Sequence, residues 1–176
     1  ANHHYIPQIF EDSFKLTCYN TGRDANGIFF QEAMLRSVLK RYTPKIIVLD
    51  FSGGFGISND SYDNISSLLP YYDDHPEIRN IVEMKSDFEK VKLLSEIYPY
   101  NSQILTITIG NLELNRKRNE DVKGYVALYN KIPANIGIAD TPSIPRLEPD
   151  TNKINAMLSF VRQAKASGSK LYVVYS

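Results

Sequence analysis

The sequence predicts an α/β domain with a mainly parallel sheet and helices on both of its faces, a three-layer α/β/α sandwich. Three observations predict it. Ile46-Ile47-Val48-Leu49 is an unbroken apolar run of strand length, the pattern of a strand whose two faces are both covered. A second run of this kind spans residues 170–175. Around and between them, apolar residues recur at helical spacing, so helix and strand alternate along the chain. The 176 residues suit a single domain over 1–176.

The elements follow in order. Tyr5, Ile6, Ile9 and Phe10 have the spacing of a helical turn, with Pro7 as an interruption. Residues 14–19 read as a short strand, and 20–27 as a polar loop with two glycines. A helix is predicted over 27–42, with Asp24 or Asn26 as its cap and Thr43-Pro44 as its stop. The strand over 45–51 comes next. Ser52-Gly53-Gly54-Phe55-Gly56 leaves its carboxyl end, the edge where open α/β sheets bind ligands.

Residues 58–100 carry helical signals, including a capping box at Ser86-Asp87-Phe88-Glu89 and a stripe of Val91, Leu94 and Tyr98. Residues 104–109 alternate like a strand but sit in helical surroundings and read as helix. Residues 115–121 form a solvated charge run. Residues 131–150 contain four prolines and no period, a long surface excursion of the kind that shapes sites. Asp150 or Thr151 caps a last helix whose inner face is Ile154, Met157, Leu158, Val161 and Ala164, ending near Gly168. Three strands make a thin sheet for so many helices.

Composition narrows the function. Twenty Lys+Arg balance twenty Asp+Glu, and zero net charge argues against a general nucleic-acid binder or a polybasic membrane-surface protein. No apolar run approaches the roughly 20 residues of a membrane span. The single cysteine, Cys18, excludes an internal disulfide framework and a multi-cysteine zinc site, and leaves the compartment open. Twelve tyrosines without a tryptophan suit half-buried surfaces and cleft walls.

Standard catalytic signatures are missing: no G-x-S-x-G, P-loop, G-x-G-x-x-G or H-E-x-x-H occurs, and nothing calls for a cofactor or a metal. A Ser-His mechanism confined to these residues must use His3, His4 or His75. His75 reads as part of a helix-flanking surface loop, and His3-His4 lack further histidine or cysteine at ligand spacing. The segment 52–56 has the glycines of a phosphate cradle without a basic residue behind it. The loop 20–27 is more informative: it carries small residues and opens a helix whose free N–H groups attract negative charge. An oxyanion hole needs such donors, although a plain capped turn has the same composition.

The chain resembles the SGNH (GDSL-like) hydrolase superfamily, and more closely the SGNH-like proteins of gut Bacteroides-type bacteria. The stretches that carry the resemblance are residues 18–27 (Cys-Tyr-Asn-Thr-Gly-Arg-Asp-Ala-Asn-Gly) and 40–50 (Lys-Arg-Tyr-Thr-Pro-Lys-Ile-Ile-Val-Leu-Asp). It continues in Ser67-Leu68-Leu69-Pro70-Tyr71-Tyr72, Ile97-Tyr98-Pro99-Tyr100-Asn101-Ser102 and Lys123-Gly124-Tyr125. The resemblance implies a flavodoxin-like three-layer fold, no cofactor, and hydrolysis of acylated carbohydrate or similar small esters by a Ser-His-Asp mechanism. It also implies a bacterial cell-envelope or periplasmic location.

In such enzymes the oxyanion is held by the serine's own N–H, a second-block glycine and a third-block asparagine. The second block looks like residues 20–25, making the backbones of Gly22 and Ala25 the oxyanion donors. Ala25 stands where glycine is usual; it keeps its N–H but tolerates positive φ less readily. Asn26, Ser52 and Gly53 are the implied substrate-binding residues. After Asp50-Phe51 the third block reads Ser52-Gly53-Gly54, with no asparagine until Asn59.

The family's serine block would fall just before Ala1 and its Asp-x-x-His block after Ser176; neither occurs within the sequence. The expectation is therefore a partial SGNH-like domain, with its nucleophile, base and first strand outside these residues. The alternative is an inactive SGNH-like module that binds glycan or a protein partner. A flavin-binding module built on residues 52–56 is a third reading.

Overall fold

The computed structural model describes residues 3–23, 26–51, 62–101, 103–112, 122–128 and 148–175. Helix α1 runs Pro7–Phe14. Pro7 begins this helix rather than interrupting it, because the N–H it lacks is unbonded in a first turn anyway. Lys15 ends α1 in the left-handed region, its N–H donating to the Glu11 carbonyl at 2.8 Å.

The strand expected over 14–19 does not form. The Cys18 N–H donates to Glu11 Oε1 at 2.8 Å and the Asn20 N–H donates to the Lys123 carbonyl at 2.8 Å. Glu11 in turn accepts from Lys123 Nζ at 2.6 and 2.7 Å. A side chain and the turn at 122–125 thus take donors that a ladder would have used.

Helix α2, Ile28–Leu39, buries Ile28, Phe29, Phe30, Ala33 and Leu35. Its N-cap is Gly27 with no side-chain cap bond, so Asn26 does not cap it, and Asp24 lies outside the described residues. It also closes before Thr43-Pro44, where the Arg41 and Tyr42 N–H groups both turn back to the Val38 carbonyl.

Strand β1, Ile46–Phe51, pairs in parallel with β2, Lys170–Tyr175, in the register Ile46↔Lys170 through Phe51↔Tyr175. Side chains alternate across the pleat. Ile47, Leu49, Phe51 and Leu171 therefore face the core, with Leu49 only 1% exposed. On the opposite face Val48, Tyr172 and Val174 stay 37–40% exposed. The apolar runs thus form strands, but the described residues cover one face of β1 and, on β2, that face only at Leu171, with Val173 and Tyr175 exposed. The result is mixed helix and strand with a two-stranded parallel sheet, compatible with α/β.

The predicted helical character of residues 58–100 holds where described, in shorter pieces. Two 3₁₀ helices, Tyr62–Tyr71 and Pro76–Ile78, precede α3 (Arg79–Glu83) and α4 (Glu89–Lys92), and a third spans Tyr98–Tyr100. They bring Ile65, Leu68, Leu69, Ile78, Ile81 and Val82 into the core. The Val91–Leu94 stripe does not pack; both residues are exposed. The Ser86-x-x-Glu89 pair contacts side chain to side chain, and the helix starts at Glu89. Residues 104–109 do form a helix, α5 (Ile104–Asn111).

Helix α6, Thr151–Ala166, is capped by Asp150, whose carboxylate accepts from the Asn152 and Lys153 N–H groups at 2.9 and 3.2 Å. Of the expected inner face Ala164 is buried and Met157 packs against the core, but Ile154 and Leu158 are exposed, and Ala156 and Phe160 complete the buried face instead. The alanines explain the difference: their small side chains allow α2 and α6 to approach closely around Phe160. Gly168, at φ +77, ends α6 as expected and leads into β2. The charge run 115–121 and most of the excursion 131–150 lie outside the described residues.

Candidate functional site

The parallel pairing sends both strands to one carboxyl edge, ending at Asp50-Phe51 and Val174-Tyr175. Phe51 and Tyr175 rings meet there at 6.2 Å between centroids. Asp50 lies on the sheet face opposite Leu49 and is half-buried, its side chain 13% exposed. His4 Nδ1 stands 3.9 Å from Asp50 Oδ2. The first turn of α2 brings Gln31 to the same edge, its Nε2 donating to the Asp50 carbonyl at 3.4 Å.

Two buried oxygens in this cluster, Asp50 Oδ1 and Gln31 Oε1, have no hydrogen-bond partner among the described residues. Buried acceptors of this kind cost about 1–3 kcal/mol each, so two of them on residues in contact point to a donor from elsewhere. Burial first, and then the charge and hydrogen bonding of Asp50, push the Tyr5 phenol above its ordinary value. Tyr5 therefore stays a neutral donor at neutral pH.

Tyr5 also ties the edge to the loop of 20–23. Asn20 Nδ2 donates to the Tyr5 carbonyl at 3.0 Å, while Asn20 Oδ1 accepts the Gly22 N–H at 2.9 Å. The Gly22 N–H, expected to serve an oxyanion, is thus engaged within its own loop. Asn26 Oδ1 accepts from Ser67 Oγ at 3.4 Å. Ala25, Ser52 and Gly53 lie outside the described residues. The structure therefore brings Gly22 near the edge through Asn20 and Tyr5, and places Asn26 toward the 3₁₀ helix Tyr62–Tyr71.

Asp50, Gln31, His4 and Tyr5 were missed as site residues. The available signals were weak but physical: Asp50 is the one polar residue in an otherwise apolar strand, and Gln31 follows Ile28, Phe29 and Phe30 in an otherwise apolar helical turn.

Other polar groups are satisfied structurally. Buried Glu32 pairs with Arg36 of the next helical turn and accepts from Gln163 Nε2 of α6. His75 Nδ1 is 2.8 Å from Glu77 Oε1, a contact that holds the Glu77 carboxyl below its usual range, with burial opposing. Cys18 is a free thiol pushed up by burial and by the Glu11 charge, against the smaller pull of Lys123. It is therefore a poor nucleophile. Among the described residues no group of three histidine, cysteine or acidic side chains gathers to hold a metal ion, and no helix is long and apolar enough to cross a membrane.

A second concavity lies on another flank of α2. It has a volume of about 310 Å³ and is walled by α2 and the 62–78 segment. Set against protein-family models, curated proteins and solved structures, the chain finds no match.

Proposed function

We propose that these residues are part of an SGNH-like hydrolase domain of three-layer α/β/α architecture. It would act as an esterase or acyl hydrolase on acylated carbohydrate or similar small esters in the bacterial cell envelope. The observation that carries this reading is the polar cluster at the carboxyl edge of β1. There, the buried oxygens of Asp50 and Gln31 await donors beside His4 and Tyr5. Substrate hydroxyls supply such donors, and this edge is where open α/β sheets bind them.

In this reading a serine attacks the ester carbonyl, the alcohol leaves after protonation by a histidine, and water releases the acid from the acyl-enzyme. No residue among these 176 is assigned as that serine or that histidine. Backbone N–H groups of Gly22 and Ala25 face the developing oxyanion, and Asn26, Ser52 and Gly53 line the crevice. Gly22 must exchange its bond to Asn20 for one to the oxyanion as charge develops.

That engaged N–H favours a second reading, an inactive SGNH-like module that binds glycan or a protein partner. Acetyl-ester hydrolysis separates the two. The expected result is turnover of 4-nitrophenyl acetate and acetylated xylan by the full-length gene product and none by the 176-residue chain. Equal turnover by both would place the nucleophile within these residues. No turnover by either, with xylan still retained on an affinity gel, would establish the binding module.

A further inference from the structure

We infer that the cavity between α2 and the 62–78 segment is a binding site for a small aryl carboxylate, an organic acid with an aromatic body and one carboxylate. The inference does not depend on the hydrolase reading, because it rests on the cavity's own lining, although Arg23 and Ser67, the partner of Asn26, border the loop that reading uses.

The cavity begins as a consequence of helical spacing. Phe30, Ala33, Met34, Ser37 and Arg41 recur at three- and four-residue intervals, so one side of α2 and its extension faces the 3₁₀ helices across the gap. Phe30, Ala33, Leu68 and Ile78 form an apolar floor, each under a tenth exposed. The rim is aromatic and open: Tyr42 is 70% and Tyr71 53% exposed. At about 310 Å³ the space stands at the small end of the range for ligand pockets, roughly 300–1,000 Å³.

Charge at the rim has one sign. Arg23 and Arg41 line the cavity, and no aspartate or glutamate does among the described residues. Other described arginines are occupied: Arg36 by Glu32, Arg79 by the carbonyls of Tyr72 and Asp73, Arg162 by the carbonyl of Leu158. Arg23 and Arg41 alone have no acceptor among the described residues. The His75 imidazole, also on the wall, is held at Nδ1 by Glu77, which lies outside the cavity lining.

An apolar floor, aromatic rim and two unengaged guanidinium groups ask for a ligand with a ring to bury and a carboxylate to bridge. Guanidinium groups match carboxylate geometry with paired N–H donors. Ring-on-ring contact with Phe30, Tyr42 and Tyr71 favours an aryl over an alkyl body. A sugar acid would leave its hydroxyls facing Phe30, Leu68 and Ile78 without partners.

The test is calorimetric titration of the 176-residue chain with 3-phenylpropionate, alongside 3-phenylpropanol, glucuronate and inorganic phosphate. Binding of 3-phenylpropionate is expected with a dissociation constant on the order of 1 mM or tighter. The alcohol, which keeps the ring and lacks the charge, should bind at least about tenfold more weakly. The double variant Arg23→Met, Arg41→Met should lose a similar factor without loss of thermal stability, since both side chains are exposed. Ring resonances of Tyr42 and Tyr71 should shift on titration. Equal affinity for the alcohol, an unchanged affinity in the double variant, preference for glucuronate or phosphate, or no binding at about 10 mM would each overturn the assignment.

Discussion

Glu89→Gln is the perturbation whose effect the structure defines best. The Glu89 side chain is fully buried at the start of α4, yet it carries a charge. Ser86 Oγ and the Tyr98 hydroxyl each donate to it at 2.6 Å, and Lys85 and Lys92 stand at 3.5 and 3.4 Å. Lys85 and Lys92 also sit over the Tyr98 ring, so one carboxylate organises the whole turn from 85 to 98. Burial alone would raise the Glu89 pKa, but the hydrogen bonds from Ser86 and Tyr98 and the two lysine charges outweigh it and hold the carboxyl below its ordinary value.

Glutamine keeps the volume and removes the charge. Two charge-assisted bonds drop to neutral strength, roughly half, and an amide NH₂ is left facing an ammonium group. The sum is a loss of about 2–4 kcal/mol at pH 7, which for this chain length lowers Tm by roughly 6–12 °C. The sign with pH follows from the lowered folded-state value. The stabilisation is fully present above the unfolded pKa, about 4.3, and disappears as pH falls through the lower folded pKa. Urea denaturation of both proteins from pH 7 down to the acid limb should show a constant gap that closes only below that point. A gap under 1 kcal/mol at pH 7, or one that does not change on acidification, would refute the charged network.

The remaining expectations concern loops, caps and the strand edge. Gly124→Ala and Gly168→Ala share a positive φ, but a Cβ at Gly124 falls 1.7 Å from the Asn20 carbonyl oxygen while one at Gly168 meets nothing within 4 Å. Gly168→Ala should cost only the backbone penalty of about 1–2 kcal/mol, and Gly124→Ala at least about 1 kcal/mol more through the lost Asn20–Lys123 bond, as read by urea midpoints. Asp150→Ala removes the cap of α6 and the acceptor for the Tyr62 hydroxyl, so thermal melts should report a loss of about 1–2 kcal/mol. Asp50→Asn should leave stability within about 1 kcal/mol, since its inner oxygen satisfies no described donor. The same variant should bring the Tyr5 phenol down toward its ordinary value in an NMR titration.

The legible parts of the fold were those where local pattern and tertiary role coincide. Residues 46–51 and 170–175 are strands within a residue of the expected bounds because each is an apolar run of strand length. Asp150 and Gly168 bound α6 for reasons contained in their own chemistry. The failures are long-range. Nothing local to residues 14–19 shows that Glu11 and Lys123 will take their backbone partners, since Lys123 lies more than a hundred residues away. The inner face of α6 was right at Met157 and Ala164 but missed Ala156 and Phe160, because the large Ile154 and Leu158 were weighed over an alanine, whereas close helix approach selects small residues. The edge cluster was illegible for the same reason: His4, Gln31 and Asp50 are separated in sequence and gathered only by the sheet.

The geometry of α2 explains how one helix serves both the strand-edge cluster and the cavity against the 62–78 segment. Three consecutive residues, about 100° apart around the helix, serve three neighbours. Phe30 floors the aryl cavity, Gln31 reaches the carbonyl of Asp50 at the strand edge, and Glu32 is locked to Arg36 and Gln163 against α6. Glu32 is buried with its cation on its own helix, a carboxylate that would cost several kcal/mol if released, and its bond from Gln163 together with the packing of α6 on α2 fixes the rotation of the helix. With that face pinned, neither of the other two can turn without disturbing it. Gln31 therefore keeps its unbonded oxygen at the edge, and Phe30 keeps its ring beneath the two arginines. The packing of α2 on α6, with the Gln163 amide on Glu32, is what holds both sites in register.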